Sequence, residues 1–315
     1  MASNGNAASK KKAAKQAPGK NIALPKKHTA SFYLDREHLP ADFVEGVKEI
    51  EQELNMQVCL FIQNGSTRSI DYRTYKKFFS GRSQFPKGSP VAILIESPGG
   101  DAACAYKMAK LLINQCGEYV AVVPNYAKSA ATLLSLGSSR IILGTFGELG
   151  PLDMQVSDAD VELTTSALNH VQTLERLGAY SKRTLDEATM MLLTRTRKKI
   201  STVLPYAIDF TTSLVSPLMN NVDVIKYTEM SRILKVGEEY AIRLLVPKYG
   251  DSEARSIAEA LVSNYPEHGF VIDNMEAASI GLQTELPAGK VAEAFTKILP
   301  YLEEVTAYGF VTEAP

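Results

Sequence analysis

Two turns hold the residues best suited to chemistry, one built on glycine and the other on serine. Ser97-Pro98-Gly99-Gly100 follows one short apolar run, and Lys128-Ser129-Ala130 closes the turn after another. Glycines bring bare backbone to the carboxyl end of a strand, where open α/β sheets place their ligands. Ser129 opens a helix, so its hydroxyl stands beside amide N–H groups that have no partner inside the helix and at the positive end of the helix dipole. A carbonyl oxygen lodged there can be held by two amides. Taken singly, neither turn decides anything. Ser129 is also a good N-cap, and a Gly-Gly pair after a strand is also simply a turn.

The elements that position these turns are legible around them. Val91 to Glu96 is a β-branched apolar run bounded by Pro90 and Ser97, the pattern of a buried parallel strand. Asp101 is a plausible N-cap for a helix over Ala102 to Asn114, with Ala105, Met108, Ala109, Leu112 and Ile113 on one face. Tyr119 to Val123 reads as the next strand. Ala130 to Leu136 reads as a second helix that Gly137 ends from the C′ position, and Ser139 to Leu143 as a further strand. Upstream, Ala41 to Leu54 has helical spacing, Met56 to Gln63 alternates as a strand, and Tyr72 to Phe79 is a short aromatic helix closed by Gly81. Repeated strand-helix units of this kind predict an α/β fold with a parallel sheet and right-handed crossovers.

In this order, with Ser129 placed 29 residues after Gly100, the stretch from Val91 to Gln155 resembles the Clp-protease and crotonase superfamily. The Tyr-Ala-Lys-Ser-Ala-Ala-Thr-Leu run at residues 126–133 and the Glu-Leu-Gly-Pro-Leu-Asp run at 148–153 are most similar to the serine dehydrogenase proteinase group, relatives of signal peptide peptidase A. The likeness is dense over that stretch and recurs from Gly269 to Leu282. It implies a Clp/crotonase-like fold with Ser129 as nucleophile and an oxyanion hole formed by the N–H groups of Gly100 and Ala130. Such donors typically supply about 3 kcal/mol each toward a transition state. Gly99, Glu148, Gly150 and Asp153 are implied to border the substrate groove; for the two acids, loop caps or solvated charges are the alternative. A homo-oligomer is implied as well, and neither a cofactor nor a metal.

For the general base, the resemblance to signal peptide peptidase A implies a lysine well beyond the serine, and Lys182 stands 53 residues past Ser129. It precedes a Thr184-Leu-Asp-Glu187 capping box that predicts a new helix, and an amine partly buried near a helix N-terminus has its ammonium form disfavoured. A solvated surface lysine is the alternative. His268, which introduces the Gly269–Leu282 segment, is the second candidate. In Clp proteases a histidine and an aspartate complete a triad, but their histidine falls in the segment corresponding to Gly147 to Gln155, which contains none here. His28 and His38 precede the sheet, and His170 lies on a helix with no evident partner.

Composition bounds the rest. The chain has 315 residues, 45% of them hydrophobic, enough for one large α/β domain with an added helical part. Its net charge of −1 hides an asymmetry: seven of the 34 basic residues and none of the 35 acidic ones lie in residues 1–27, leaving 27 against 35, a net −8, for the remainder. We expect a disordered basic tail at 1–27, a Clp/crotonase-like core at 28–157, a helical region for oligomerisation or groove cover at 158–265, and a return to the core at 266–315 ending in a helix from Val291 to Val305. The tail lacks the interleaved aromatics or arginines of a nucleic-acid segment, so a solubilising role is expected. Cys59, Cys104 and Cys116 show no metal-ligand spacing and read as buried thiols. With no apolar stretch of membrane-spanning length and no secretory h-region, the expected location is the cytoplasm.

The function expected is a serine peptidase acting on a peptide or protein substrate through an acyl-enzyme on Ser129. Two other readings stay open. One is a catalytically silent peptide-binding or scaffold protein that keeps the groove. The other is an acyl-CoA enzyme of the crotonase type, against which the serine turn and the lack of a basic cluster near Ser97 both count.

Overall fold

The computed structural model describes residues 1, 27–64, 69–153, 155–158 and 163–314, so most of the expected basic tail lies outside the described residues. In chain order the elements are β1 (His28–Ala30), β2 (Tyr33–Leu34), α1 (Ala41–Leu54), β3 (Gln57–Ile62), α2 (Tyr72–Ser80), β4 (Val91–Glu96), α3 (Ala102–Cys116), β5 (Tyr119–Val123), β6 (Tyr126–Ala127), α4 (Ala130–Leu136) and β7 (Arg140–Leu143). There follow β8 (Glu148–Leu149), β9 (Gln155–Asp158), β10 (Leu163–Ser166), α5 (Ala167–Thr196), α6 (Ile200–Met219), α7 (Val224–Tyr249), α8 (Asp251–Ser263), α9 (Asn274–Ser279), α10 (Gly289–Ile298) and β11 (Ala307–Glu313).

Among the described residues the main sheet has seven strands in the order β1-β11-β3-β4-β5-β7, with β2 paired to β11. β3, β4, β5 and β7 run parallel, as the repeated strand-helix pattern predicts. Successive side chains of these strands face opposite layers. Val58, Leu60, Ile62, Leu94 and Val122 pack on α1 and α10, whereas Cys59, Phe61, Ile93, Ile95 and Val123 join the core formed with α2, α3, α4, α7 and α8. Every residue of β4 is buried, which is why its sequence is continuously apolar up to Glu96. This doubly covered parallel sheet carries a long helical addition. α5 packs against both α6 and α7, α7 packs on α8, and Tyr106 of α3 stacks on Tyr240 of α7 with ring centroids 4.4 Å apart.

Several local expectations are corrected. No helix starts at Thr184: α5 is continuous from Ala167 to Thr196, because Gly178 faces open space and extending an existing helix costs less than nucleating a new one. The charged stretch from Asp158 opens with the β9–β10 hairpin before that helix begins. His28 does not precede the sheet; it lies in β1 and pairs with Glu313. The helix expected over Val291 to Val305 ends at Ile298, where Pro300 cannot continue it, and the chain then adds β11 antiparallel to β3. The three cysteines are free and buried, and among the described residues no helix is long and apolar enough to cross a membrane.

Gly137 ends α4, but in right-handed geometry (φ −76°) and not in the left-handed C′ conformation. Its requirement is space. A Cβ there would lie 2.6 Å from the Tyr119 hydroxyl and 3.0 Å from the Ala109 Cβ, and the Tyr119 hydroxyl is itself committed to the Leu134 carbonyl. Gly137→Ala is therefore expected to destabilise the fold by about 1–3 kcal/mol through overpacking. Chemical denaturation checks this; an unchanged midpoint would mean that α3, α4 and β5 are packed more loosely than described.

Candidate active site

Ser129 lies between β6 and α4 with φ 49° and ψ −117°, a conformation that side-chain-bearing residues rarely adopt and that costs on the order of 1–3 kcal/mol. Its side chain makes no cap bond to the helix it precedes, so the reading of Ser129 as only an N-cap does not describe this turn. The residue is 8% exposed. The surroundings over-determine the turn. Lys128 N–H donates to the Ser97 carbonyl at 2.9 Å and Ser97 N–H to the Tyr126 carbonyl at 3.1 Å, a bridge between the ends of the two parallel units. Within the helix, the Thr132 hydroxyl stands 2.7 Å from the Ala127 carbonyl and accepts from the Gly150 N–H at 2.9 Å.

The glycine turn meets this serine turn directly. Gly99 has φ +100°, and a Cβ on it would lie 2.5 Å from the Lys128 carbonyl oxygen, 2.8 Å from the Ser129 Cβ and 3.0 Å from the Ala130 nitrogen. Gly100, at φ +140°, lies just as tightly against the Ile70 backbone. The amides of the turn can be accounted for one by one. Gly99 N–H donates to Ser97 Oγ at 3.1 Å, Asp101 N–H donates to the Ile70 carbonyl at 2.7 Å, and Ile70 N–H returns to the Gly99 carbonyl at 2.6 Å. No described residue accepts from Gly100 N–H or from Ala130 N–H. Two unspent amides thus flank a serine whose hydroxyl is also uncommitted.

Gly150 closes the opposite side of the serine turn, its Cβ position 3.3 Å from the Ser129 nitrogen. Beside it, Lys128 Nζ pairs with Glu148 at 2.8 Å and donates to the carbonyls of Leu149 and Phe270, each at 3.3 Å. Leu149 and Ile272 exchange backbone hydrogen bonds, so the chain from His268 to Ile272 lies along the 148–153 loop. There His268 Nδ1 comes within 4.0 Å of Asp153 Oδ2, and both atoms are buried without any other partner among the described residues. The other oxygen of Asp153 accepts from Leu168 N–H at 3.2 Å. Glu148 and Asp153 are therefore not solvated charges: one holds Lys128, the other faces a histidine.

Lys182 is not brought to this cluster. It stands exposed on α5, 14 residues past Leu168, whose amide touches Asp153; at 1.5 Å per residue that is roughly 21 Å along the helix axis. Among the described residues no group of His, Cys, Asp or Glu side chains is placed to hold a metal ion.

The profile of the ClpP-like SDH-type serine proteinases matches residues 68–238, more than half of the chain. The chain belongs to this family. The matched segment includes Gly100, Ser129, Asp153 and Lys182 and stops short of His268. Two uncharacterized proteins of Methanocaldococcus jannaschii are 25% and 26% identical to it, over 73% and 64% of this chain and 65% and 55% of their own lengths. The chain thus spans less than two thirds of either curated relative. Among solved structures, ClpP1 from Listeria monocytogenes is similar at 13% identity over 76% of this chain and 96% of that chain, with a TM-score of 0.38.

Three features of this family member's site were not singled out from the sequence. Lys128, next to the serine, could have been singled out by its position alone. The Asp153–His268 pair could not, since 115 residues separate its members. Glu96 is the third: wholly buried at the end of β4, it accepts from the Asn125 side chain at 2.8 Å and from Tyr126 N–H at 3.1 Å, holding the start of the serine turn.

Burial pushes the Glu96 carboxyl up to about 8, with the two hydrogen bonds pulling downward and the charges of Glu303 and Glu148 adding to the rise. The folded protein binds that proton more tightly than the unfolded chain does. Its stabilising effect is complete below the ordinary value of 4.5 and is lost as the pH climbs through about 8. Glu96→Gln should therefore flatten the fall in Tm over this range and raise Tm at its alkaline end. Parallel Tm–pH curves for the two proteins would show that Glu96 titrates normally.

Proposed function

We propose that the chain is a serine peptidase that hydrolyses peptide bonds through an acyl-enzyme on Ser129, with His268 as general base and Asp153 as its orienting partner. The observation that carries the reading is the uncommitted Ser129 hydroxyl, held in a left-handed turn between two amides without acceptors. In the first step Ser129 Oγ attacks the scissile carbonyl carbon while its proton passes to His268 Nε2. Negative charge gathers on the carbonyl oxygen, where the N–H groups of Gly100 and Ala130 stabilise it. Collapse of the tetrahedral intermediate breaks the C–N bond, and the leaving amine takes the proton back from the imidazolium. Water, deprotonated by the same imidazole, then releases the acyl group and restores the serine.

The lysine base is replaced in this reading for a geometric reason. His268 and Asp153 face each other at 4.0 Å on the two segments that Lys128 ties to the serine turn, while Lys182 stands exposed on α5. An approach of about 1 Å brings the pair into hydrogen-bond reach, which fixes the proton on Nδ1 and leaves Nε2 free to act. Lys128 does not serve as base, because three acceptors hold its ammonium. Its part is to fasten the His268 segment to the serine turn. Substrates are peptides or proteins. A homo-oligomer is part of the proposal, supported by the apolar side chains that α6 leaves exposed, among them Tyr206, Ile208 and Phe210.

Mass spectrometry after exposure to a fluorophosphonate tests the nucleophile: one adduct is expected on the wild type and none on Ser129→Ala. Absence of an adduct on either would favour a binding or scaffold protein. For the base, His268→Ala should slow labelling by roughly 10²-fold or more, the scale of general-base assistance, and Lys182→Ala by less than about twofold. The reverse pattern would restore the Ser-Lys dyad.

A further inference from the structure

We propose that Gln63 and Ser97 are positioning residues, a buried relay that sets the place of the Gly100 amide; this rests on the reading of Ser129 as nucleophile and Gly100 as oxyanion donor. Gln63 follows β3 and Ser97 follows β4, and both are fully buried. The Gln63 side-chain N–H₂ donates to the Tyr308 hydroxyl at 3.1 Å, and its Oε1 accepts from the Ser97 hydroxyl at 2.5 Å. Ser97 Oγ in turn accepts from Gly99 N–H at 3.1 Å.

The bonds have one consistent direction. Ser97 has a single proton, and giving it to Gln63 turns the oxygen's lone pairs toward the Gly99 amide. The Tyr308 hydroxyl accepts from the other end of the Gln63 amide and holds that side chain in place. The Tyr308 ring is wedged in turn against Phe61, with centroids 5.6 Å apart. An antiparallel strand, β11, is thereby linked through Gln63 to a hydroxyl at the tip of a parallel strand.

Stability alone does not call for such a relay. Amides and hydroxyls are costly to bury, and apolar side chains would fill the same space between strands. What a fully satisfied polar chain adds is a single allowed arrangement. At this turn, one arrangement matters. Gly99 has no free space on the side of Lys128 and Ser129, and Ile70 clamps Gly100 from behind, so any shift at Gly99 N–H carries straight to the next amide. Misplacement of a catalytic group by as little as about 1 Å can cost on the order of 10²-fold in rate.

The test is saturation kinetics of fluorophosphonate labelling, which separates the maximal rate of phosphonylation from the concentration at half-saturation. Ser97→Ala and Gln63→Leu are expected to lower the maximal rate at least about tenfold with half-saturation within about twofold. Gln63→Glu, which retains an acceptor for the Ser97 hydroxyl, should recover most of that loss. Tyr308→Phe, which keeps the ring stack, should lose about threefold or more and carries the test if the other variants do not fold. Full maximal rates in the folded variants, or equal losses in Gln63→Leu and Gln63→Glu, would overturn the relay. Labelling of the wild type at Ser129 stands as the control: its failure would retire the peptidase reading and not the relay alone.

Discussion

Everything at the site depends on one close approach, that of Gly99 to Ser129. The two turns come from adjacent parallel strands, β4 and β5, whose carboxyl ends lie side by side in the sheet. Only a residue without a Cβ fits at Gly99, and only a strained backbone presents the Ser129 side chain there. Strain of this kind persists where the surroundings over-determine it. Here the bridge from Ser97 to Ala127, the hydrogen bonds of Thr132 and the clamp of Ile70 on Gly99 and Asp101 do so. The result is a hydroxyl and two amides, those of Gly100 and Ala130, with no partner among the described residues, on two turns in contact.

Around that contact, segments remote in sequence each supply one constraint. The 148–153 loop brings Gly150 against the serine and Asp153 toward His268. The segment before α9 lies along that loop, tied by Lys128 at Phe270 and by backbone bonds at Ile272. From the other flank of the sheet, β11 contributes Tyr308 behind the glycine turn. Placement of Ser129, Gly99, Asp153 and His268 is thus a property of the folded sheet and its returning C-terminal segments, and the helices α5 to α7 stand mostly outside it.

The parallel core was legible because each of its signals is local: β-branched runs for β4 and β5, an Asp101 cap that the structure shows accepting from Cys104 N–H, and the periodic apolar face of α3. Ser129 and the Gly-Gly turn were equally visible, since strand-turn-helix junctions are written in consecutive residues. Local signals misled at the C-terminus, where helical spacing ran the last helix on to Val305 past its end at Ile298 and the strand Ala307–Glu313 went unread, and at Thr184, where a good cap sequence sits inside an uninterrupted helix. Long-range pairs left no trace in the linear order. Nothing near His268 announces Asp153, and nothing near Gln63 announces Tyr308; both meetings are set by sheet order and by the return of the chain.

The most direct test of the central claim is a crystal structure of the phosphonylated protein. Convergence of the two turns predicts phosphorus on Ser129 Oγ, with the phosphonyl oxygen about 2.7–3.1 Å from the nitrogens of both Gly100 and Ala130 and the His268 ring beside it. An adduct on another residue, or a phosphonyl oxygen turned away from both amides, would contradict it.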